Sequence, residues 1–254
     1  GQLHGHLGLD EAVAALCAEP AHDAAVLAGE RVRRRDERDR GRVMSSPAVV
    51  GGRVYVGCDN HQVTCFDADK GGPPLWTFPA RSWVFSSPAV AGGRVYVGEG
   101  LHSTNDAKLY CLDAETGKQV WSFQTRSHIE ATPAVSGGRV FVGAGDDGVY
   151  AIDAATGAKL WQAKGLHIDS ATLVVEGLVI VGSGYGEHAG GAWKAETGEL
   201  AWKVKMPACA WGPAALGPKG AIVAIGDGNF EQTFPNPKSE LVCLALADGA
   251  GVWR

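Results

Sequence analysis

The chain has 254 residues, 36 of them glycine, with 45% hydrophobic side chains and a formal net charge of −5. That is long enough for one sizeable all-β domain, and the acidic balance gives no reason to expect a nucleic-acid partner. No apolar run approaches the roughly 18–20 residues of a membrane-spanning helix.

Taken in chain order, residues 1–43 stand apart. The sequence begins with Gly1 and shows no basic-then-apolar leader, so any signal peptide is expected to have been removed or to lie outside it. Leu9, Val13 and Leu16 recur at helical spacing in an Ala-rich stretch broken by Pro20. Arg31 to Arg42 is a dense mixed-charge run. Its arginines would suit an anionic partner, but Asp36, Glu37 and Asp39 neutralise part of them, which favours a solvated helix or linker.

From residue 44 the sequence falls into five units, at about 44–78, 86–123, 131–163, 171–204 and 212–254. Each ends near a tryptophan placed four residues after a glycine: Trp76, Trp121, Trp161, Trp202 and Trp253. In the third unit, strands are expected at Thr132–Val135, Arg139–Val142, Val149–Ile152 and Lys159–Gln162. Gly137-Gly138 suits the positive φ of a two-residue hairpin, and Asp153 to Gly157 suits a turn in which Asp bonds the backbone ahead of it. One such sheet cannot bury both faces alone; stacking on a neighbour buries them. The recurrence predicts an all-β fold, a β-propeller of four-stranded antiparallel blades.

The pattern Ala151-x-Asp153-x-x-x-Gly157-x-Lys159-x-Trp161 resembles the tryptophan-docking motif of the quinoprotein-type, PQQ-like β-propeller repeat. That repeat occurs in quinone-dependent alcohol dehydrogenases and in the propeller lipoprotein of the outer-membrane barrel-assembly machinery. The resemblance runs from about Met44 to Trp253. It implies that each tryptophan packs between adjacent blades. Family members usually close with about seven or eight blades, so five visible units imply an incomplete or open propeller, a true five-bladed ring being the lesser alternative. An extracytoplasmic location, periplasmic or secreted, is implied by the resemblance alone.

The same repeat serves enzymes, scaffolds and sensors. The preferred reading is a non-enzymatic binding or scaffold module for a protein or a small polar ligand, with no cofactor predicted. The alternatives are a quinoprotein oxidoreductase or a fragment of one, holding PQQ with a Ca²⁺-type metal, and the sensor region of a larger receptor or kinase. Alcohol-oxidising members often carry two adjacent cysteines beside the quinone, and this sequence has no Cys-Cys pair.

The repeats also differ. The motif aspartate is present as Asp67, Asp113 and Asp153 but becomes Lys194 and Ala245, so the last two blades are expected to have less tightly held turns. Unit one carries an extra residue between Asp67 and Gly72. Cys65, Cys111 and Cys243 share a third-strand position with Ala151 and Ala192, which reads as a small buried site. Cys58 and Cys209 are less defined, and a bridge between Cys58 and Cys65 is the unfavoured alternative.

Alternation places the second-to-third turns and the crossings between blades on one face, where loop lengths vary widely, as binding loops on a rigid scaffold do. The loop from Gly226 to Glu240 is the longest and carries Phe230, Phe234, Pro235 and Pro237. Counting back from Pro47, Pro88, Pro133, Thr172 and Pro213, the fifth residue is Arg42, Trp83, His128, His167 and Ala208. The third is Met44, Phe85, Glu130, Asp169 and Ala210. Residues two apart on an innermost strand point the same way, so His128 and Glu130 are expected beside His167 and Asp169, with Trp83, Phe85 and Trp211 as aromatic neighbours.

The candidate ligand-binding rim is therefore Arg42, Trp83, His128, Glu130, His167, Asp169 and Trp211. Its two imidazoles and two carboxylates would suit a divalent metal or a polar ligand; the bland alternative is a solvated rim. His102, His188, Glu187 and Tyr185 lie in loops of the same face and read singly as exposed loop residues. No nucleophile elbow, Walker loop, Cys-x-x-Cys or His-Glu-x-x-His motif occurs, and no catalytic residue is assigned.

Overall fold

The computed structural model of the chain describes residues 42–184, 186–227 and 239–254. The expected helical segment and most of the charged run, Tyr185, and Phe230, Phe234, Pro235 and Pro237 lie outside the described residues.

The described elements are strands throughout. The first blade holds β1 (Ala48–Val50), β2 (Arg53–Cys58), β3 (Gln62–Asp67) and β4 (Trp76–Pro79), and the second β5 (Ala89–Ala91), β6 (Arg94–Gly98), β7 (Lys108–Asp113) and β8 (Gln119–Gln124). The third holds β9 (Ala134–Ser136), β10 (Arg139–Gly143), β11 (Val149–Asp153) and β12 (Lys159–Ala163). The fourth holds β13 (Leu173–Val175), β14 (Leu178–Gly182), β15 (Ala189–Lys194) and β16 (Leu200–Lys205), and the fifth β17 (Ala214–Gly217), β18 (Gly220–Gly226), β19 (Ser239–Leu244) and β20 (Gly251–Trp253). Each set forms one four-stranded antiparallel sheet in sequence order. β9 begins two residues later than the sequence pattern places it, at the same point of the repeat as β1, β5, β13 and β17. The first strands are neighbours in chain order, β1 by β5, β5 by β9, β9 by β13 and β13 by β17. The whole is an incomplete or open all-β propeller.

The core lies in the seams between blades. Tyr55, Val63 and Cys65 of the first blade pack with Val95, Val97 and Leu112 of the second, and Tyr96, Leu109 and Cys111 pack with Val140, Val142 and Ile152 of the third. Equivalent clusters fill the next two seams. Each seam is closed by an indole. The Nε1–H of Trp76, Trp121 and Trp161 donates to the carbonyls of Ala114, Ala154 and Ala195 in the following blade, each at 3.1 Å, and that of Trp202 donates to Leu246 at 2.7 Å. The rings lie flush on the turn glycines of the following blade. A Cβ on Gly117 would stand 2.5 Å from Trp76, and one on Gly157 would stand 2.8 Å from Trp121. Across the sheet, Cys65, Cys111, Ala151, Ala192 and Cys243 sit directly opposite the five tryptophans, and the bulk of the indole explains why that position stays small. Trp253 is the exception in packing. It is 42% exposed, since no following blade lies against it among the described residues.

The turn aspartates add side-chain bonds to a backbone frame that the last two turns share. Asp153 Oδ1 accepts from the amides of Ala155 and Thr156 and from the Thr156 hydroxyl at 2.8–3.1 Å, and Asp113 does the same in its turn. Without the aspartate, the last two turns still keep the same backbone bond, from Gly198 to Lys194 at 2.8 Å and from Gly249 to Ala245 at 2.9 Å. The lost interaction is the side chain's; the backbone frame survives. The extra residue of the first unit is absorbed within its turn, and Trp76 stays opposite Cys65. No disulfide joins Cys58, Cys65, Cys111, Cys209 and Cys243 to one another.

Candidate functional site

The site is built where each second strand ends against the crossing that enters its blade. The amide of Asp59 donates to the Arg42 carbonyl, Gly100 to Trp83, Gly184 to His167 and Gly226 to Cys209, at 2.8–3.0 Å. These bonds fix Arg42, Trp83, His167 and Cys209 as equivalent residues, which corrects the count in the fifth unit. Ala208 does not hold that place; Cys209 does, and Trp211 takes the place of Asp169. The crossing before Pro213 is one residue shorter than the others. The sequence Gly-x-Gly at the ends of β6, β10 and β14 makes the close approach possible. A Cβ on Gly145 would stand 2.4 Å from Ser127 Oγ and 2.7 Å from His128 Cε1, and one on Gly184 would stand 2.5 Å from Asp169 Oδ2.

At this mouth four side chains converge. Asp169 bridges two imidazoles: its Oδ1 is 2.9 Å from His128 Nε2 and its Oδ2 is 3.0 Å from His167 Nε2. His102, from the β6–β7 loop, brings its Nδ1 to 3.2 Å from His128 Nε2. Glu130 lies beside them, its Oε1 3.6 Å from His102 Nδ1 and 3.9 Å from His128 Nε2. On the far side of its ring, His167 Nδ1 meets Asp146 Oδ1 at 2.6 Å. Trp211 stands edge-on to His102 with ring centres 6.2 Å apart. His128 and the Asp169 carboxylate are buried, so these charges interact with little water between them.

Burial pushes the Glu130 carboxyl up, to about 7, with the Asp169 charge adding to the rise and His128 opposing it. Burial also acts to raise Asp169, but its bonds to His128 and His167 outweigh that and hold it at about 2. For His167, burial opposes the charged form, yet Asp169 and then Asp146 prevail and raise it to about 9. The group therefore holds an ionised Asp169 against a protonated His167 around neutral pH. A hollow of about 340 Å³ opens next to it, lined by Asp146, Gly165, Leu166, His167, Gly186 and Glu187.

The structure thus brings His128, Glu130, His167, Asp169 and Trp211 together. It leaves two candidates elsewhere on the rim. Trp83 is 37% exposed and stands edge-on to His61, and Arg42 is exposed and bonded through its backbone to Asp59. The loop carrying Trp83 is pinned from below. The buried Glu99 accepts from the amides of Arg81 and Ser82 at 2.7 and 3.1 Å and from the Tyr110 hydroxyl at 2.9 Å. Sequence reasoning missed His102 and Asp146 as members of the group, because a loop position has no strand alternation to assign it. The Gly-x-Gly repeat at the strand ends was the available signal.

The sequence matches the profile of the family described as "Outer membrane protein assembly factor BamB" over residues 21–103 and 98–190, more than half of the chain. The chain belongs to that family. The BamB of Moraxella catarrhalis is similar in structure, with a TM-score of 0.64 and 18% identity, covering 85% of this chain and 62% of that one. Among curated proteins, the dehydrogenase subunit of the quinone alcohol dehydrogenase of Acetobacter aceti is 28% identical in an alignment 192 residues long that covers 58% of this chain and 26% of that protein. The quinohemoprotein alcohol dehydrogenase of Comamonas testosteroni shares the fold at a TM-score of 0.63 and 18% identity, covering 83% of this chain and 42% of that one. The chain therefore spans about a quarter of the curated dehydrogenase and under two thirds of the BamB structure.

The dehydrogenase likeness implies PQQ, and the residues at the mouth do not fit it. PQQ is a planar quinone with three carboxylates, and the protonated imidazole at the mouth, His167, is already paired with the carboxylates of Asp169 and Asp146. The imidazole-rich donor set is likewise a poor match for the all-oxygen coordination of Ca²⁺.

Proposed function

We propose that this BamB-family propeller is a non-enzymatic binding module. It acts outside the cytoplasm and offers the face made by its blade crossings and second-to-third loops to a protein partner of outer-membrane assembly. The observation that carries the reading is Trp83. A large aromatic side chain is held partly in solvent on a loop that a buried carboxyl, Glu99, fastens by two backbone amides. Fixing an exposed indole in this way removes the ordering cost that binding would otherwise incur, and tryptophan is among the residues that most often dominate protein interfaces. The family description supports the choice of partner class.

The test is site-specific photo-crosslinking in the native envelope, with the reactive residue at position 83 or, on the opposite face, at position 116. Crosslinks to an outer-membrane protein or its assembly machinery from position 83 and none from position 116 are expected. The reverse pattern, or none from either, overturns the proposal. The second reading, a piece of a quinoprotein oxidoreductase, rests on the Acetobacter aceti relative. It differs in requiring PQQ to bind.

A further inference from the structure

The group at the mouth is more ordered than partner binding requires. Two imidazoles are aimed at one carboxylate and a third at the nitrogen of the first, and one atom from each of His102, His128, His167 and Asp169 falls within 4.8 Å of all the others. The contacts around His128 are the telling ones. Its Nε2 is 2.9 Å from Asp169 Oδ1 and 3.2 Å from His102 Nδ1. A ring nitrogen carries at most one proton, so a single N–H would have to serve two neighbours at once. A cation at the centre removes the conflict by taking a lone pair from each, and the proton that His167 Nε2 otherwise shares with Asp169 is released to solvent.

We propose that His102, His128, His167 and Asp169 form a four-ligand site for a divalent transition metal of the zinc class, fastening the second, third and fourth blades at their inner ends. Ligand atoms at about 2.0–2.1 Å from a tetrahedral zinc lie roughly 3.3 Å from one another. With Asp169 Oδ1 as the ligand atom, two separations, 2.9 Å to His128 Nε2 and 3.2 Å from there to His102 Nδ1, are already near that value, and His167 Nε2 lies 3.0 Å from the other oxygen of the same carboxylate. A donor set of three nitrogens and one oxygen selects zinc and its neighbours over Ca²⁺ or Mg²⁺.

The outer partners agree. A ligating histidine normally gives its second ring N–H to a carboxylate, carbonyl or hydroxyl, which fixes the ring and the tautomer. His167 Nδ1 has Asp146 Oδ1 at 2.6 Å, and His128 Nδ1 has Ser127 Oγ at 3.4 Å. Ser127 Oγ in turn accepts from the amide of Asp146 at 3.3 Å, so the two supports are joined. His102 comes from the loop between β6 and β7, His128 from the crossing between β8 and β9, and His167 with Asp169 from the crossing between β12 and β13. Segments far apart in sequence are thereby tied at one point, as a structural metal does in a small fold.

The experiment uses the whole chain, stripped with a chelator and titrated with Co²⁺ and then Zn²⁺. One Co²⁺ per chain with the strong visible bands of four-coordinate cobalt is expected, displaced by Zn²⁺, together with a rise in Tm on adding Zn²⁺. His102→Ala, a loop substitution, is expected to abolish the visible bands. Asp146→Asn changes a carboxylate that is 86% exposed and so leaves folding intact, and it is expected to weaken Zn²⁺ binding by about 10–100-fold. His188→Gln, outside the group, leaves the titration unchanged. Absence of the bands in the unmodified chain, or bands that persist in His102→Ala, overturns the proposal.

Discussion

Replacing Trp121 by alanine tests whether the seams hold this fold together. The indole is 8% exposed, tilts on Tyr96 with ring centres 5.8 Å apart, and donates to the Ala154 carbonyl at 3.1 Å. Removing a buried tryptophan of this kind costs about 3–5 kcal/mol, including the cavity left behind. Of that, the lost hydrogen bond accounts for about 1 kcal/mol. Trp253 occupies the same place in its own blade but is 42% exposed, so Trp253→Ala is expected to cost roughly 1–2 kcal/mol. A fold whose total stability is about 5–15 kcal/mol will register the difference clearly. Urea unfolding followed by circular dichroism, which does not depend on the deleted fluorophore, is the assay. Equal losses in the two variants, or a loss under about 1 kcal/mol for Trp121→Ala, would refute the seam argument.

Three further outcomes are expected. Cys111→Ala should be tolerated, whereas Cys111→Leu should cost about 1–3 kcal/mol by overpacking, read as a shift in the urea midpoint, because Cys111 is buried directly opposite Trp121. Glu99→Ala removes the acceptor for three donors; amide exchange at Arg81 and Ser82 should speed up by orders of magnitude while amides of β7 beyond its contact stay protected. The Thr156 hydroxyl first, then the amides of Thr156 and Ala155, hold the Asp153 carboxyl below its ordinary range. Its turn is therefore stabilised above the unfolded carboxylate value of about 3.9, and that contribution is lost as the pH falls through the lower folded value. The Tm advantage of the unmodified chain over Asp153→Asn should be present at pH 7 and shrink on acidification to pH ~3; an advantage that grows in acid would contradict the assignment.

Much of the architecture was legible because each unit repeats the same physical instructions. Strand alternation, a turn glycine and a tryptophan placed to cover the next turn recur, and the small residue opposite that tryptophan, Cys111 or Ala151, marks the register. At the site, the two-residue alternation of the crossings placed His128 and Glu130 beside His167 and Asp169. It failed where alternation has no hold. His102 sits in a loop whose path is set by tertiary contact, so its face was legible but not its neighbours, and Asp146 lies in a turn that alternation does not reach. The fifth unit was miscounted by one because Pro213 served as a landmark for its crossing. The bond from the Gly226 amide to the Cys209 carbonyl, equivalent to that from Gly184 to His167, shows the shorter segment. Arg42 and Trp83 share the position of the histidines, but Arg42 lies two crossings from His128, and Trp83, on the adjacent crossing, turns its ring to His61 instead, with centres 6.1 Å apart.

The distinction between a binding propeller and a piece of a quinone enzyme is settled most directly by adding PQQ and Ca²⁺ to the folded chain. Thermal stability and alcohol-dependent dye reduction are then followed together. No change in Tm and no dye reduction is the result expected here, since the protonated His167 that could meet a carboxylate of PQQ is already paired with Asp146 and Asp169. Saturable stabilisation by PQQ accompanied by dye reduction would contradict the account.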